Sequence, residues 1–582
     1  MLKTIFTPSS SNNLNQSSRW PSSFQWSQIF KILSKREKNL IFLCLFLFVA
    51  SVGFVGFRYY LINTQTVPSR GGSYSEGIIG APRFLNPVLA PTNDADRDLT
   101  RIIFSSLLKY DSQGNLMPDL AESYNVLDSG KTYEIYLKKN AFWHDGRQVT
   151  ADDVIYTLQV IQDSDFRSPL RVNWVGIDVE KIDNFGVRFR LKNAYAPFPF
   201  NLTFGILPKH VWQNISASDF ALNEKNLKPI GSGPYVFKQL VKNTDGSIKS
   251  IELAASKNFY LPGPFIEQLN FKFYTDEDTA VAALRKADVQ GLSYISPANY
   301  TLLKNDTKNT FNIFEIKLPR YFALFFNQTQ NKALADKNVR IALAQALDKE
   351  KLISDTLLGF GEKIDSPIIP GMLGFSDDIK IYSYDFEAAS STLSKAGWLD
   401  KNNDGIREKD GQNLEFTIST IPWQELAQTA EFLKVAWSAI GVKVNIETKE
   451  TANLIQENIR PRQYQALLFG ELLNIDPDPF AFWHSSQVKD PGQNLSLYEN
   501  AQVDAILQDA RQDQDAYSRA KKYQQFNQII AQDLPAIFLY APQYLYPVSA
   551  NLKGADLKIM VSPSDRFSQI ENWYITTRRA WK

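Results

Sequence analysis

The chain has 582 residues, 44% of them hydrophobic and 13% aromatic, and 63 Lys and Arg stand against 62 Asp and Glu. That length calls for two or three lobes rather than one small core, and the balanced charge excludes a global field aimed at nucleic acid or an acidic partner. Cys44 is the only cysteine, which excludes an internal disulfide and any cysteine-based metal site.

In chain order, the first strong signal is Leu40 to Phe57, LIFLCLFLFVASVGFVGF, eighteen residues without a charge. It is long enough to cross a bilayer if Arg58 snorkels to the interface. Lys3, Arg19, Lys31, Lys35, Arg36 and Lys38 precede it against Glu37 alone, so residues 1–39 are expected in the cytoplasm and everything after 62 outside. No small-residue cleavage site follows the run, and Cys44 lies at its start rather than at a lipoprotein position, so an uncleaved anchor over 40–62 is expected. Residues 63–74, NTQTVPSRGGSY, read as a short polar linker.

Beyond the linker, strand-like and helix-like patterns alternate, which predicts α/β lobes. In TYEIYLKK, residues 132–139, Tyr133, Ile135 and Leu137 alternate with polar neighbours as in a half-buried strand. Asp145-Gly146 marks a turn, and Thr150 with Asp153 predicts a capped helix start carrying Val154, Leu158 and Ile161 on one face. PIGSGPY at 229–235 has the glycines of a phosphate cradle, but Pro234 removes a backbone donor, so a tight connection between lobes is expected. Helical stripes follow at Val339, Leu343 and Leu347, then at Phe386, Ala389, Leu393 and Ala396 before Gly397, and at Val503, Ile506, Leu507 and Ala510; LPAIFLY at 534–540 reads as a buried strand.

Chemistry is sparse. His144, His210 and His484 share no metal-ligand spacing, and there is no nucleophile elbow, Walker loop or dinucleotide fingerprint. DKNNDGIREKDG at 400–411 supplies Asp400, Asn402, Asp404 and Gly405 in calcium-loop positions, with Asp410 one residue short of the bidentate acid; the alternative is a polar hairpin tip. GELLNIDPDPFAFWHSSQ at 470–487 combines acids, two X-Pro breaks and the rings of Phe480, Phe482 and Trp483. Asp476 and Asp478 could suggest a glycosidase pair, but in an Asp-Pro-Asp-Pro turn they are expected to cap backbone amides.

Several ordered blocks resemble the family 5 extracellular solute-binding proteins of ABC transporters, the oligopeptide, dipeptide and nickel receptors. They are GKTYEIYLKKNAFWHDG running into TADDVIYTL, then PIGSGPYVF, DKNVRIALAQALDKEKLI, AGWLDKNNDGIREKDG and the closing YENAQVDAILQDA with IIAQDLPAIFLY. The resemblance covers nearly all of 75–550. It implies a two-lobed α/β periplasmic-binding-protein-like fold with an extra domain. Lobe I would comprise 75–110, 229–320 and 536–582, the middle lobe 111–228, and lobe III 321–535. It further implies a receptor without catalytic activity or cofactor, a monomer that closes on a peptide or related polar solute and serves an ABC permease and ATPase complex from the periplasm or cell surface. Tyr321, Trp423, Glu471, Asn474 and Trp483 are the substrate-binding residues expected from it. One position departs from the family: where peptide receptors carry an Asp for the ligand's α-amino group, this chain has Leu473, with Gly470 at the usual Trp. Glu471 is the nearby acid able to substitute. A surface sensor or adhesion receptor on the same fold, with no permease, is the alternative; a hydrolase lacks any nucleophile, metal or spaced acid pair to support it.

Overall fold

The computed structural model describes residues 23–582 apart from Asn309, so Lys3 and Arg19 of the basic flank lie outside the described residues. The chain divides into two units, 1–67 with 577–582, and 68–576.

In the first unit the apolar run lies within a 29-residue helix, Lys35–Asn63, long and apolar enough to cross a membrane and with none of its residues buried. Ser34 caps it, its side chain accepting from the Glu37 amide while its own amide donates to Glu37 Oε2 at 2.8 Å, a reciprocal capping box. Residues 64–68 form a strand paired with the chain's last strand, Thr577–Trp581, where the sequence suggested only a linker. Composition could not show this, because the partner lies more than five hundred residues away.

The second unit is built on a twelve-stranded arrangement in which one long strand, Ala536–Ser549, serves two sheets. Its first half pairs with Arg320–Phe326 (Phe322 opposite Tyr540) in the sheet of lobe III. Its second half pairs with Phe311–Lys317 (Ile316 opposite Tyr544) in the sheet of lobe I. The chain thus crosses between the lobes at 317–320 and again at 540–544. The buried strand read at 534–540 lies in the first half of this element, which pairs within the sheet of lobe III as far as Pro542.

The middle lobe is a four-stranded antiparallel sheet, in the order 121–127, 132–137, 186–191 and 177–183, with the helix Ala151–Gln162 against it. Tyr133, Ile135 and Leu137 are buried as the alternation predicts, and so are Val154, Leu158 and Ile161. Thr150 and Asp153 form the expected capping box, the Thr150 amide donating to Asp153 Oδ2 at 2.9 Å. This lobe shares one apolar core with lobe I, whereas lobe III has its own. The helical stripes also face cores, except that Phe386 at the head of its helix is 39% exposed.

The glycine loop at 229–235 is a docking turn. The Gly233 amide donates to the Ile103 carbonyl at 2.8 Å, and a Cβ at Gly231 would stand 1.9 Å from that same oxygen, so only glycine admits the approach. The imidazole of His144 accepts from the Gly231 amide at 3.2 Å through Nδ1 and reaches the Gly233 carbonyl through Nε2 at 3.0 Å. Burial lowers its pKa to about 4 and keeps the ring neutral. The FWHDG turn therefore clamps the middle lobe to lobe I and does no chemistry.

Candidate functional site

Where the two crossovers meet, lobes I and III face each other across a cleft with two chambers. Both flank the helix Asp94–Ile103, whose start is capped by Asn93 accepting from the Asp96 amide. Arg97, Thr100 and Arg101 face the first chamber; Asp94 and Asp98 face the second. The segment 561–566 is shared the same way, Asp565 on one side and Arg566 on the other.

The first chamber, about 470 Å³, is lined from all three lobes, with Trp174 and Tyr195 of the middle lobe opposite Leu473, Asn474 and Asp478 of lobe III. Its acids are committed. Asp478 accepts from Tyr195 Oη at 2.8 Å and pairs with Arg511 at 3.1 Å, while the Arg511 guanidinium lies over the rings of Tyr195 and Phe480 at 4.9 and 4.3 Å. Asp565 pairs with Arg101 at 3.2 Å. Asp476, buried beside the loop, pairs with Arg519 at 2.7 Å and accepts from Tyr523 Oη at 3.2 Å. The Asp-Pro-Asp-Pro acids thus hold arginines across elements, and Asp478 also accepts from the Phe480 amide as the turn reading expects.

The second chamber, about 500 Å³, has a floor made by the crossovers, with Arg320, Phe322, Gln543 and Tyr544, and walls that include Tyr294 and Trp423. Arg320 heads a strand whose other six residues are buried. Its guanidinium lies over the Phe322 ring at 5.5 Å, and its buried Nε has no hydrogen-bond partner among the described residues. Burial lowers its pKa, opposed by Tyr294, by Tyr544 and by the carboxylate of Glu425, which itself accepts from Tyr294 Oη at 3.3 Å. The Gln543 side-chain oxygen is likewise without a partner among the described residues. A desolvated cation and a free acceptor lining one chamber form a polar contact set completed by an incoming group.

The residues expected from the sequence separate into two groups. Trp423, N-cap of the helix Gln424–Ser438 and 51% exposed, lines the second chamber, and Asn474 lines the first. Tyr321, Glu471 and Trp483 lie in the core of lobe III and line neither chamber. Glu471 stands opposite Tyr321 across paired strands and accepts the Tyr321 hydroxyl; burial pushes its carboxyl up to about 8. A carboxyl that is largely neutral at pH 7 and turned into the core is no counter-charge for a ligand amine, unlike the substitution expected of it. The period-2 rule explains the miss: Leu472, one residue on, faces the cleft. Trp483 packs on Phe325 and Phe538 at 6.3 and 5.8 Å. Arg320 was legible in principle, as a lone charge at the head of the apolar run YFALFF.

The calcium reading of 400–411 meets a different arrangement. Asp400 accepts from the Gly405 amide at 3.0 Å, Asn402 from the Asp404 amide at 3.0 Å, and Asp404 from the Ile406 amide at 2.8 Å. Asp410 sits at φ 51 in the turn of a small hairpin. These oxygens cap the backbone of a polar tip, and no acidic or histidine cluster suited to a metal occurs among the described residues.

The profile of the bacterial extracellular solute-binding proteins, family 5 Middle, matches residues 115–493. The chain is 32% identical to the oligopeptide-binding protein AppA of Bacillus subtilis (strain 168) over 516 residues, covering 87% of this chain and 92% of that protein. It is 26% identical to the dipeptide-binding protein of Escherichia coli (strain K12) over 504 residues, 82% of this chain and 90% of that one. The structure of AppA from Bacillus subtilis in complex with a nonapeptide matches with a TM-score of 0.71 at 31% identity, covering 88% of this chain and all of that one. NikZ from Campylobacter jejuni in complex with Ni(L-His) matches with a TM-score of 0.73 at 29% identity, covering 86% and 99%. With its two lobes, middle lobe and interlobe cleft, the chain belongs to the family 5 bacterial extracellular solute-binding proteins, receptors of ABC transporters rather than enzymes.

Proposed function

We propose that this receptor takes a peptide, or a peptide-like solute ending in a carboxylate, across both chambers and presents it to an ABC permease and its ATPase. In this reading the helix Lys35–Asn63 tethers the chain to the membrane, with the body on the outer face. The observation that carries the ligand class is Arg320: a desolvated guanidinium with an unpartnered Nε in a chamber walled by aromatic rings. A carboxylate supplies the missing charge and acceptors at once, and a charge-assisted pair in such a site is strong. Two chambers flanking one helix suit an extended ligand, and the peptide names of the relatives support the same class.

The first chamber argues against the usual capture of an α-amine. Leu473 replaces the expected acid, and Asp478 and Asp565 are already paired. A buried ammonium without a counter-charge costs several kcal/mol, roughly 3–5. The end-group preference is therefore for the carboxyl terminus, while the amine end stays solvated or is blocked. The test is calorimetric titration of the full-length protein in detergent with matched peptides whose ends are free, N-acetylated or C-amidated. Binding that survives acetylation and falls on amidation is expected. No binding by any peptide would move the ligand out of this class, and binding lost on acetylation alone would sink the role of Arg320.

A further inference from the structure

The first unit contains a construction that solute capture does not use. Immediately after the anchor helix the chain forms the strand Thr64–Pro68, and the last six residues, TRRAWK, return to pair with it; the Lys582 amide donates to the Asn63 carbonyl at 2.9 Å. Arg579 ties the tail to the helix end. Its Nε donates to Thr64 Oγ1 at 2.8 Å and its Nη2 to the Leu61 carbonyl at 2.9 Å, and its guanidinium lies 5.7 Å from the Tyr60 ring. The carbonyls of a helix's last turn lack intrahelical partners, and a cation there also complements the helix dipole.

Two positions on, Trp581 meets Tyr60 edge-on at 5.8 Å and Tyr59 at 6.5 Å, yet stays 63% exposed. Strand alternation puts Arg578 and Lys582 on the opposite face from Arg579 and Trp581, and both are exposed, as is Arg58 at the end of the apolar run. None of these three side chains has an ion-pair partner among the described residues, and no Asp or Glu occurs between Glu37 and Glu76 or within 577–582. Exposed rings at the end of an apolar helix, beside exposed cations and no acidic side chain in the same segments, match the interface of a bilayer whose phosphates supply the missing charge.

We propose that the C-terminal hexapeptide, held on the outer end of the anchor helix, forms a binding site for anionic phospholipid headgroups. Arg578 and Lys582 meet the phosphate, and Trp581 lies at the level of the glycerol backbone. The proposal rests on the anchor reading of Lys35–Asn63, and the two fail differently. Release of the full chain from membranes by alkaline carbonate would defeat the anchor; an anchored chain indifferent to lipid charge would defeat only the headgroup site.

The experiment is native mass spectrometry of the full-length protein in detergent micelles doped with phosphatidylglycerol or with phosphatidylcholine of the same chains. Selective retention of phosphatidylglycerol is expected. At roughly fivefold per basic side chain, the double variant Arg578→Gln, Lys582→Gln lowers that retention about twenty-fivefold and leaves phosphatidylcholine unchanged. In vesicles, Trp581→Phe removes the emission quenched by lipids brominated high on the acyl chain. Millimolar inorganic phosphate does not displace the lipid. Equal retention of the two lipids, indifference of the double variant, or displacement by free phosphate would each overturn the site. So would a double variant that keeps its lipid but no longer co-purifies with a permease.

Discussion

Two arginines face the second chamber, and they are opposites. Arg566 is fully buried and fully answered: its Nε donates to Glu76 at 3.0 Å and its Nη1 to Asp98 at 2.8 Å. Glu76 also accepts from Tyr546 and Tyr74 at 2.7 and 2.9 Å. That network ties the strand Ser73–Ile79, the helix Asp94–Ile103 and the 563–567 turn into one piece of lobe I. Arg320, across the cavity on the crossover strand, is half-buried, and its buried Nε has no hydrogen-bond partner among the described residues. The contrast separates structure from function: a buried charge with all its partners from the protein holds the fold, while one left short is completed by the ligand.

The largest effect tests the first half of that contrast. Arg566→Met leaves two buried carboxylates without a counter-ion and is expected to cost on the order of 3–5 kcal/mol of stability, read as a lowered midpoint in thermal or urea unfolding. A loss below about 1 kcal/mol would mean that Glu76 and Asp98 accept protons at little expense, and the network would not be structural. Arg320→Met predicts the reverse pattern. The free protein keeps or gains stability, because a poorly compensated cation leaves a partly apolar site, while affinity for a carboxylate-ended peptide falls by roughly a hundredfold, about 2.7 kcal/mol. A variant that lost stability and kept affinity would erase the distinction between the two arginines.

A third prediction concerns Glu471, a buried acid that resembles neither case. Burial raises its folded-state pKa from 4.5 to about 8. Between those values the native state binds more protons than the unfolded state, so stability falls as pH rises through that window and levels off above it. Glu471→Gln retains an acceptor for Tyr321 and cannot ionise, so its unfolding free energy should be flatter between pH 5 and 8, with ligand affinity changed by less than about threefold. Parallel pH profiles, or affinity lost in the variant, would return Glu471 to the site. The smallest effect is spectroscopic. Exposed Trp423 on the chamber wall should change its emission on ligand binding. Trp423→Phe should remove part of that signal, whereas buried Trp483 should contribute none.

Local physics made much of the molecule legible before any tertiary information. The long apolar helix follows from eighteen uncharged residues, the helix at 151–162 from one capping pair and a repeating apolar face, and the strand at 132–137 from strict alternation. The ordered blocks pointed to the family. What the sequence could not decide was which face of a strand meets the cleft. Leu472 and Glu471 are neighbours, yet one lines a chamber and the other is buried beneath it. Pairing of Ala466–Leu472 with Arg320–Phe326 sets that register, and a shift of one residue would exchange them. The partners of Asp476 and Asp478 were equally out of reach, since Arg519, Arg511 and Tyr195 come from distant segments. So was the pairing of 577–581 with the strand that follows the long apolar helix. The sequence alone determined the elements whose signals lie within one helical turn or one strand; tertiary structure decided the site, because burial and pairing of charge depend on contacts between residues far apart in the chain.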